Sequence, residues 1–180
     1  IDSDPFYIFN FPGSMEINAM FRPHITVEAG RLESIGLPHN TFYFDEKRNL
    51  VLFVGHEPNL RWPSFAEAFF QMVAIMDVQR VFFVGSYAGA VPHTREPRLF
   101  CAASNDALRE ELKKYDVREV DYEGPGSFTT YLLSRAMERE LAMASLVAEI
   151  PAYIQGRNPL SIESVTRRLA TILGLPTDLS

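Results

Sequence analysis

The stretch Val81-Phe-Phe-Val-Gly-Ser-Tyr-Ala-Gly-Ala-Val-Pro-His-Thr-Arg-Glu-Pro97 decides the fold class. Its first four residues, Val81–Val84, are β-branched or aromatic without interruption, the pattern of a strand covered on both faces. From Gly85 onward two glycines, two prolines and several polar residues break any period. This reads as a buried strand that exits through a tight, glycine-permitted turn into a polar loop. Strands ending in such loops are the working edge of open α/β sheets, where ligands bind beyond the carboxyl ends.

Two more apolar strands behave alike. Leu50-Val-Leu-Phe-Val54 leads to Gly55-His-Glu-Pro-Asn-Leu-Arg-Trp62, and Ala144–Ile150 leads to Pro151-Ala-Tyr-Ile-Gln-Gly156. Leu99–Ala103 is a further strand. Between them the period becomes helical. Trp62, Phe65, Ala66, Phe69, Phe70, Val73 and Met76 follow Pro63, which suits a first helical turn. Ser104-Asn-Asp opens a helix carrying Leu108, Leu112 and Tyr115, and Ser127 caps one carrying Phe128, Tyr131, Leu132 and Met137. Asn158 and Pro159 begin the last helix, which Gly174 stops and Pro176 prevents from resuming.

The first part reads as strands. Phe6–Phe11 is a short aromatic run, and His24–Glu28 and Arg31–Ile35 flank a hairpin turn at Ala29-Gly30. Thr41–Asp45 and Leu50–Val54 flank the polar turn Glu46–Asn49. Strand, helix, strand, helix in this order implies βαβ crossovers. We therefore expect a single α/β domain over residues 1–180: a mostly parallel sheet with helices on both faces and a hairpin extension near the N-terminus. If the strands run parallel, the loops after Val54, Val84 and Ile150 converge on one edge, joined by Tyr122-Glu-Gly-Pro-Gly-Ser127.

Composition narrows the function. The 180 residues are 47% hydrophobic and 22% charged, which places the chain among globular proteins. A net charge of −6 argues against a nucleic-acid or anionic-membrane binder. No apolar run reaches the length of a spanning helix, and the start lacks the pattern of a signal peptide. One cysteine, Cys101, allows no internal disulfide and fits a reducing, cytoplasmic compartment. It sits in an apolar strand, which makes it a buried structural thiol rather than a nucleophile.

The converging loops supply the site candidates: Glu57, Asn59 and Trp62; Gly85, Tyr87, Pro92, His93, Thr94 and Arg95; and Glu123, Gly124 and Pro125. None forms an established catalytic motif. Gly85-Ser-Tyr-Ala-Gly89 lacks the third glycine of a dinucleotide fingerprint, and no Gly-Lys-Ser/Thr follows it as in a phosphate loop. Tyr87 stands where a nucleophile elbow needs serine. His24, His39, His56 and His93 share no metal-ligand spacing, so no metal is expected, and no motif calls for a cofactor. His93 and Arg95 either pin their loop and an interface or contact an anion, for which Arg95 offers a bidentate fork. Trp62 opens a helix that Ala68, Met72 and Ile75 make apolar almost all round. Such a helix is buried or covers one side with another subunit.

These residues carry a resemblance. Gly55–Trp62 with its helix, Val84–Arg95, Tyr122–Pro125, Pro151–Gln155, Ser164-Val-Thr-Arg-Arg-Leu169 and Leu173-Gly-Leu-Pro176 together resemble the proteasome assembly chaperone 2 family in its prokaryotic branch. Val91-Pro-His-Thr-Arg95 is the most diagnostic piece. The resemblance implies a three-layer α/β/α fold like that of nucleoside phosphorylases, and a homo-oligomer, with a trimer as first guess. It implies protein partners, including proteasome subunits, with no nucleic acid and no membrane. Descriptions of prokaryotic members as ATP-grasp-like find no support in these motifs. Members of the family begin with a strand, a Gly-Trp turn and a helix that have no counterpart here, so a missing N-terminal strand–helix unit is expected. Asp178-Leu179-Ser180 lacks the tyrosine of the tails by which archaeal relatives dock on proteasome rings.

The function expected is thus a proteasome-assembly-chaperone-like homo-oligomer that binds protein partners without catalysis. The alternative is a binding protein for a nucleoside- or phosphate-type small molecule, or a phosphorylase- or hydrolase-like enzyme, with its site at the carboxyl edge of the sheet.

Overall fold

The computed structural model describes residues 4–154 and 156–176. The expectations resting on Ile1-Asp-Ser3, Gln155 and Asp178-Leu179-Ser180 fall outside them. The chain packs as two compact units divided between Val78 and Gln79.

In the first unit, helix α1 (Met15–Phe21) precedes the hairpin β1 (His24–Glu28) and β2 (Arg31–Gly36). A second hairpin, β3 (Thr41–Asp45) and β4 (Leu50–Val54), leads to helix α2 (Trp62–Ile75). Both hairpins are antiparallel, and each forms its own two-stranded sheet. The core is aromatic. Phe42 and Phe53 pair across the second hairpin with ring centroids 4.6 Å apart, and both meet Phe69 of α2. Phe65, one turn earlier, takes the edge of Phe6 at 5.1 Å.

Two expectations fail here. Phe6–Phe11 is not a strand: a 3-10 turn over Asp4–Phe6 runs into irregular chain. The Phe6 carbonyl accepts the N–H groups of Asn59 and Leu60, and Ile8 N–H donates to Asn59 Oδ1. Phe11 N–H donates to Asn18 Oδ1, so these backbone groups find their partners outside any sheet. Nor is β4 covered on both faces, because α2 packs on one side of the hairpin only. Leu52 and Val54 on the other side are each 54% exposed.

The second unit holds a four-stranded sheet of order β5-β8-β6-β7, formed by β5 (Arg80–Gly89), β8 (Ala142–Pro151), β6 (Leu99–Ala103) and β7 (Val117–Glu119). β5 and β8 run parallel in unbroken register from Arg80 opposite Ala142 to Gly89 opposite Pro151. β6 and β7 are also parallel to each other, but β6 runs antiparallel to β8. The sheet is therefore mostly parallel, as expected, with one reversal. Its cause is the connection Ala90–Arg98, which is shorter than the dozen or more residues a parallel crossover needs. β7 has three residues, too few to show a period.

Helices α3 (Asp106–Lys113), α4 (Phe128–Glu138) and α5 (Pro159–Leu173) complete a three-layer α/β/α unit. Alternation along the strands sends Leu99, Cys101, Ala144, Leu146 and Ala148 to one face, where they pack with Leu108 and Leu112 of α3 and Val165 and Ile172 of α5. α4 also packs against β8, burying Phe128, Leu132 and Ala136 outside that cluster. The helix ends follow the sequence. Asn105, Ser127 and Asn158 each accept the backbone N–H three residues on, and Gly174 closes α5 in the left-handed conformation with φ +65°.

Candidate functional site

The run Val81–Pro97 is more strand than loop, since β5 extends to Gly89. Gly85 and Gly89 lie inside β5, each opposite a residue of β8, and neither has a positive φ. The tight turn expected at these glycines does not form. Both glycines serve close packing. A Cβ on Gly85 would stand 2.7 Å from Phe83 Cε1, and one on Gly89 would stand 2.7 Å from Glu149 Cγ and Oε1. Phe83 and Glu149 thus lie flat over bare backbone.

Because β5 and β8 end together, the loops after Gly89 and Pro151 start side by side. Ala152 N–H donates to Gly89 O at 3.0 Å. Tyr153 then reaches across to His93: its hydroxyl accepts the His93 backbone N–H at 2.7 Å and lies 2.9 Å from His93 Nδ1. With that acceptor position filled, the phenol hydrogen is free to donate to Nδ1. Pro92 O accepts Arg95 N–H at 3.3 Å, which tightens the turn. Gly89, Ala90, Val91, Pro92, Ala152 and Tyr153 line an open cleft of about 560 Å³ at this edge.

Beside the cleft lies a charged cluster. Arg95 Nη2 donates to Glu149 Oε2 at 2.5 Å, with the Glu149 side chain only 13% exposed. Tyr87 sits opposite Glu149 in the register. Burial raises the Tyr87 phenol above its ordinary pKa, and the Glu149 carboxylate adds to the effect by its charge and hydrogen bond. Arg95 Nε is buried without a hydrogen-bond partner. The cluster is a neutralised ion pair with a protonated phenol. It holds no activated nucleophile and no free base.

In the first unit, Asn59 is spent on the Phe6–Ile8 backbone, and Trp62 Nε1 donates to Pro58 O at 2.7 Å. Glu57 lines a smaller cleft of about 280 Å³ with Tyr7, Ile8, Met20, Phe21, Pro38, His56 and Asn59. Tyr7 donates to His56 O at 2.7 Å there, and burial raises its pKa. Thr94 is exposed. Glu123, Gly124 and Pro125 follow β7, which leaves the sheet in the direction opposite to β5 and β8. Pro125 O accepts the Tyr122 hydroxyl, and among the described residues no hydrogen bond or ion pair joins 122–126 to 90–95. The reversal of β6 and β7 thus removes the reason for expecting Glu123 beside Arg95.

Two residues that complete the cluster, Glu149 and Tyr153, were not among the sequence candidates. Glu149 had a signal: it is the one charge in the apolar run Ala144–Ile150. Cys101 is buried as expected, and burial, then the Glu119 charge, raises its pKa. Among the described residues no group of three or more His, Cys, Asp or Glu is placed to hold a metal ion, and no helix is long and apolar enough to cross a membrane.

The fold has solved counterparts. A proteasome-assembly chaperone homologue from Mycobacterium tuberculosis superposes with a TM-score of 0.78 at 22% identity, over 100% of this chain and 73% of its own. A PAC2 family protein from Streptomyces avermitilis gives 0.74 at 25% identity, over 100% and 74%. PbaB, an archaeal proteasome activator from Pyrococcus furiosus, gives 0.62 at 20% identity, over 86% and 69%. Among proteins with curated descriptions none matches. The sequence profile of the PAC2 family matches residues 1–180, so this chain belongs to the PAC2 family.

Proposed function

We propose that the chain is a proteasome-assembly-chaperone-like, homo-oligomeric cytoplasmic protein that binds protein partners and carries out no chemistry. Family membership along the whole chain is the observation that carries this reading. The state of the polar groups at the β5–β8 edge supports it. Arg95 is neutralised by Glu149, and His93 is engaged by Tyr153, so these groups hold the loops instead of addressing a substrate. The cleft they frame is lined by glycine, alanine, valine, proline and one tyrosine, surfaces suited to a peptide. A trimer is the oligomer size that the resemblance implies, and proteasome α subunits are the first partners to test. Co-sedimentation of the full-length protein with proteasome subunits of its own organism, at several salt concentrations, is expected to give a stable complex. Absence of a complex at micromolar concentrations would overturn the partner assignment.

The buried, unpartnered Arg95 Nε favours a second reading, in which the same edge binds a nucleoside- or phosphate-type ligand. A thermal-shift series with nucleosides, nucleotides and inorganic phosphate separates the two. A ligand that binds the native state raises the melting temperature, and no shift at millimolar concentration removes this reading.

A further inference from the structure

The register of the second hairpin continues past its last ladder pair. β3 and β4 pair from Asp45 opposite Leu50 to Thr41 opposite Val54. Two residues further, the same register sets Asn40 beside Gly55 and His39 beside His56. The two chain segments do stay together there. A Cβ on Gly55 would stand 2.4 Å from Asn40 Oδ1, and the ring centroids of His39 and His56 are 5.6 Å apart, with the planes at 70°. The two histidines are thus cross-strand neighbours at the open end of the hairpin, although they lie 17 positions apart in the chain.

Their contacts fix how each ring is used. His39 Nδ1 faces Leu37 O at 3.4 Å, and His56 Nδ1 faces His39 O at 3.5 Å, both long contacts. A ring nitrogen facing a carbonyl oxygen can only donate. In the neutral rings each Nδ1 therefore holds the hydrogen and each Nε2 keeps its lone pair. Metal-binding histidines divide their two nitrogens in this way. Tyr7 steadies the pair: its hydroxyl donates to His56 O at 2.7 Å, and its ring meets the His56 ring edge-on at 6.5 Å. The ring spacing also suits a shared ion. An imidazole bound at about 2.0–2.1 Å sets its centroid about 3.2 Å from the metal, so two on one tetrahedral ion have centroids about 5.2 Å apart. Both residues are exposed, so their side chains are free to close the small difference.

We infer that His39 and His56 form a two-histidine site for a borderline transition-metal dication of the zinc, nickel and copper class, which imidazole favours. Two protein ligands leave the other coordination positions to water or to a donor from a bound molecule, so the site is open and its affinity modest. The net charge of −6 favours a cation. Sequence spacing gives no hint of the site, because strand register brings the two rings together.

Isothermal titration of the full-length, untagged chain with Zn(II) and, separately, with Ni(II) tests this. One equivalent is expected to bind. Its affinity should be at least about tenfold weaker in His39→Ala and in His56→Ala, and unchanged in His24→Ala and His93→Ala. Zn(II) is also expected to raise the melting temperature of the wild type but not that of His39→Ala/His56→Ala. Metal-free circular-dichroism melts report on folding, and His39→Gln or His56→Gln serves where an alanine variant fails to fold. No binding at submillimolar metal, binding that survives both substitutions, or a loss with one histidine but not with the other overturns the paired site.

Discussion

Glu149 lies across Gly89 so closely that any β-carbon on Gly89 would be 2.7 Å from both Glu149 Cγ and Oε1. The same carboxylate receives Arg95 at 2.5 Å, so it cannot swing aside without releasing the 90–95 loop. Gly89→Ala is therefore expected to lower stability by about 1–2 kcal/mol through strain and a weakened ion pair. Thermal denaturation reads the loss. In a Glu149→Ala background the same substitution should cost within a few tenths of a kcal/mol of nothing. Equal costs in both backgrounds would mean that the contact does not hold the loop.

The Tyr87 phenol gives this edge an alkaline signature. Burial and the Glu149 charge raise its pKa in the folded state, so folding favours the protonated form. That contribution is present in full below the ordinary tyrosine value of about 10 and is lost as the pH climbs from there through the raised folded value. Stability of the wild type should fall more steeply above pH 10 than that of Tyr87→Phe. Parallel curves from denaturant melts between pH 8 and 11.5 would contradict the assignment.

Tyr153 is exposed, yet its hydroxyl fastens two loops. Tyr153→Phe removes both hydrogen bonds to His93 and is expected to cost under about 1 kcal/mol of global stability, since solvent can replace them. The larger effect is local. Amide hydrogen exchange in 90–95 should accelerate, with β5 and β8 unchanged. Unchanged exchange in that loop would show that the turn holds without its latch.

At the tip of β1–β2, Ala29 and Gly30 both have positive φ, +48° and +78°, the two-residue turn that matches strand twist. Alanine is poorly suited to that region and asparagine tolerates it, so Ala29→Asn is expected to stabilise the turn by about 0.5 kcal/mol. A higher melting temperature checks it. A lower one would mean that the hairpin is held by something other than its turn.

Where the sequence was legible, short-range chemistry decided the outcome. Asn105, Ser127 and Asn158 announce their helices because a side-chain oxygen that satisfies an N-terminal N–H must stand just there. Ala29-Gly30 announces its hairpin for a similarly local reason. The errors arose where distant residues supply the partner. Phe6–Phe11 has strand composition, but its backbone is claimed by Asn59 and Leu60, some fifty residues on. Gly85–Gly89 has turn composition, yet β8 pairs with it residue by residue. The direction of β6 was readable in principle from the length of Ala90–Arg98, and once β6 is reversed Glu123 no longer belongs with Arg95. His93 and Arg95 were found in the sequence, whereas Glu149 and Tyr153 come to them only through strand register.

The place of β8 in the sheet bears on synthesis. Within its sheet β5 has a single neighbour, β8, and the ribosome delivers the last residue of β8 only 151 − 89 = 62 residues after the last residue of β5. At about 5–20 residues per second, a nascent chain carries the apolar strand Val81–Val84 unpaired for roughly 3–12 seconds. Through that interval a protein assigned a chaperone-like role itself presents the kind of surface that chaperones bind. Substitutions that slow elongation between Ala90 and Ala142 would then reduce yield without touching the finished fold.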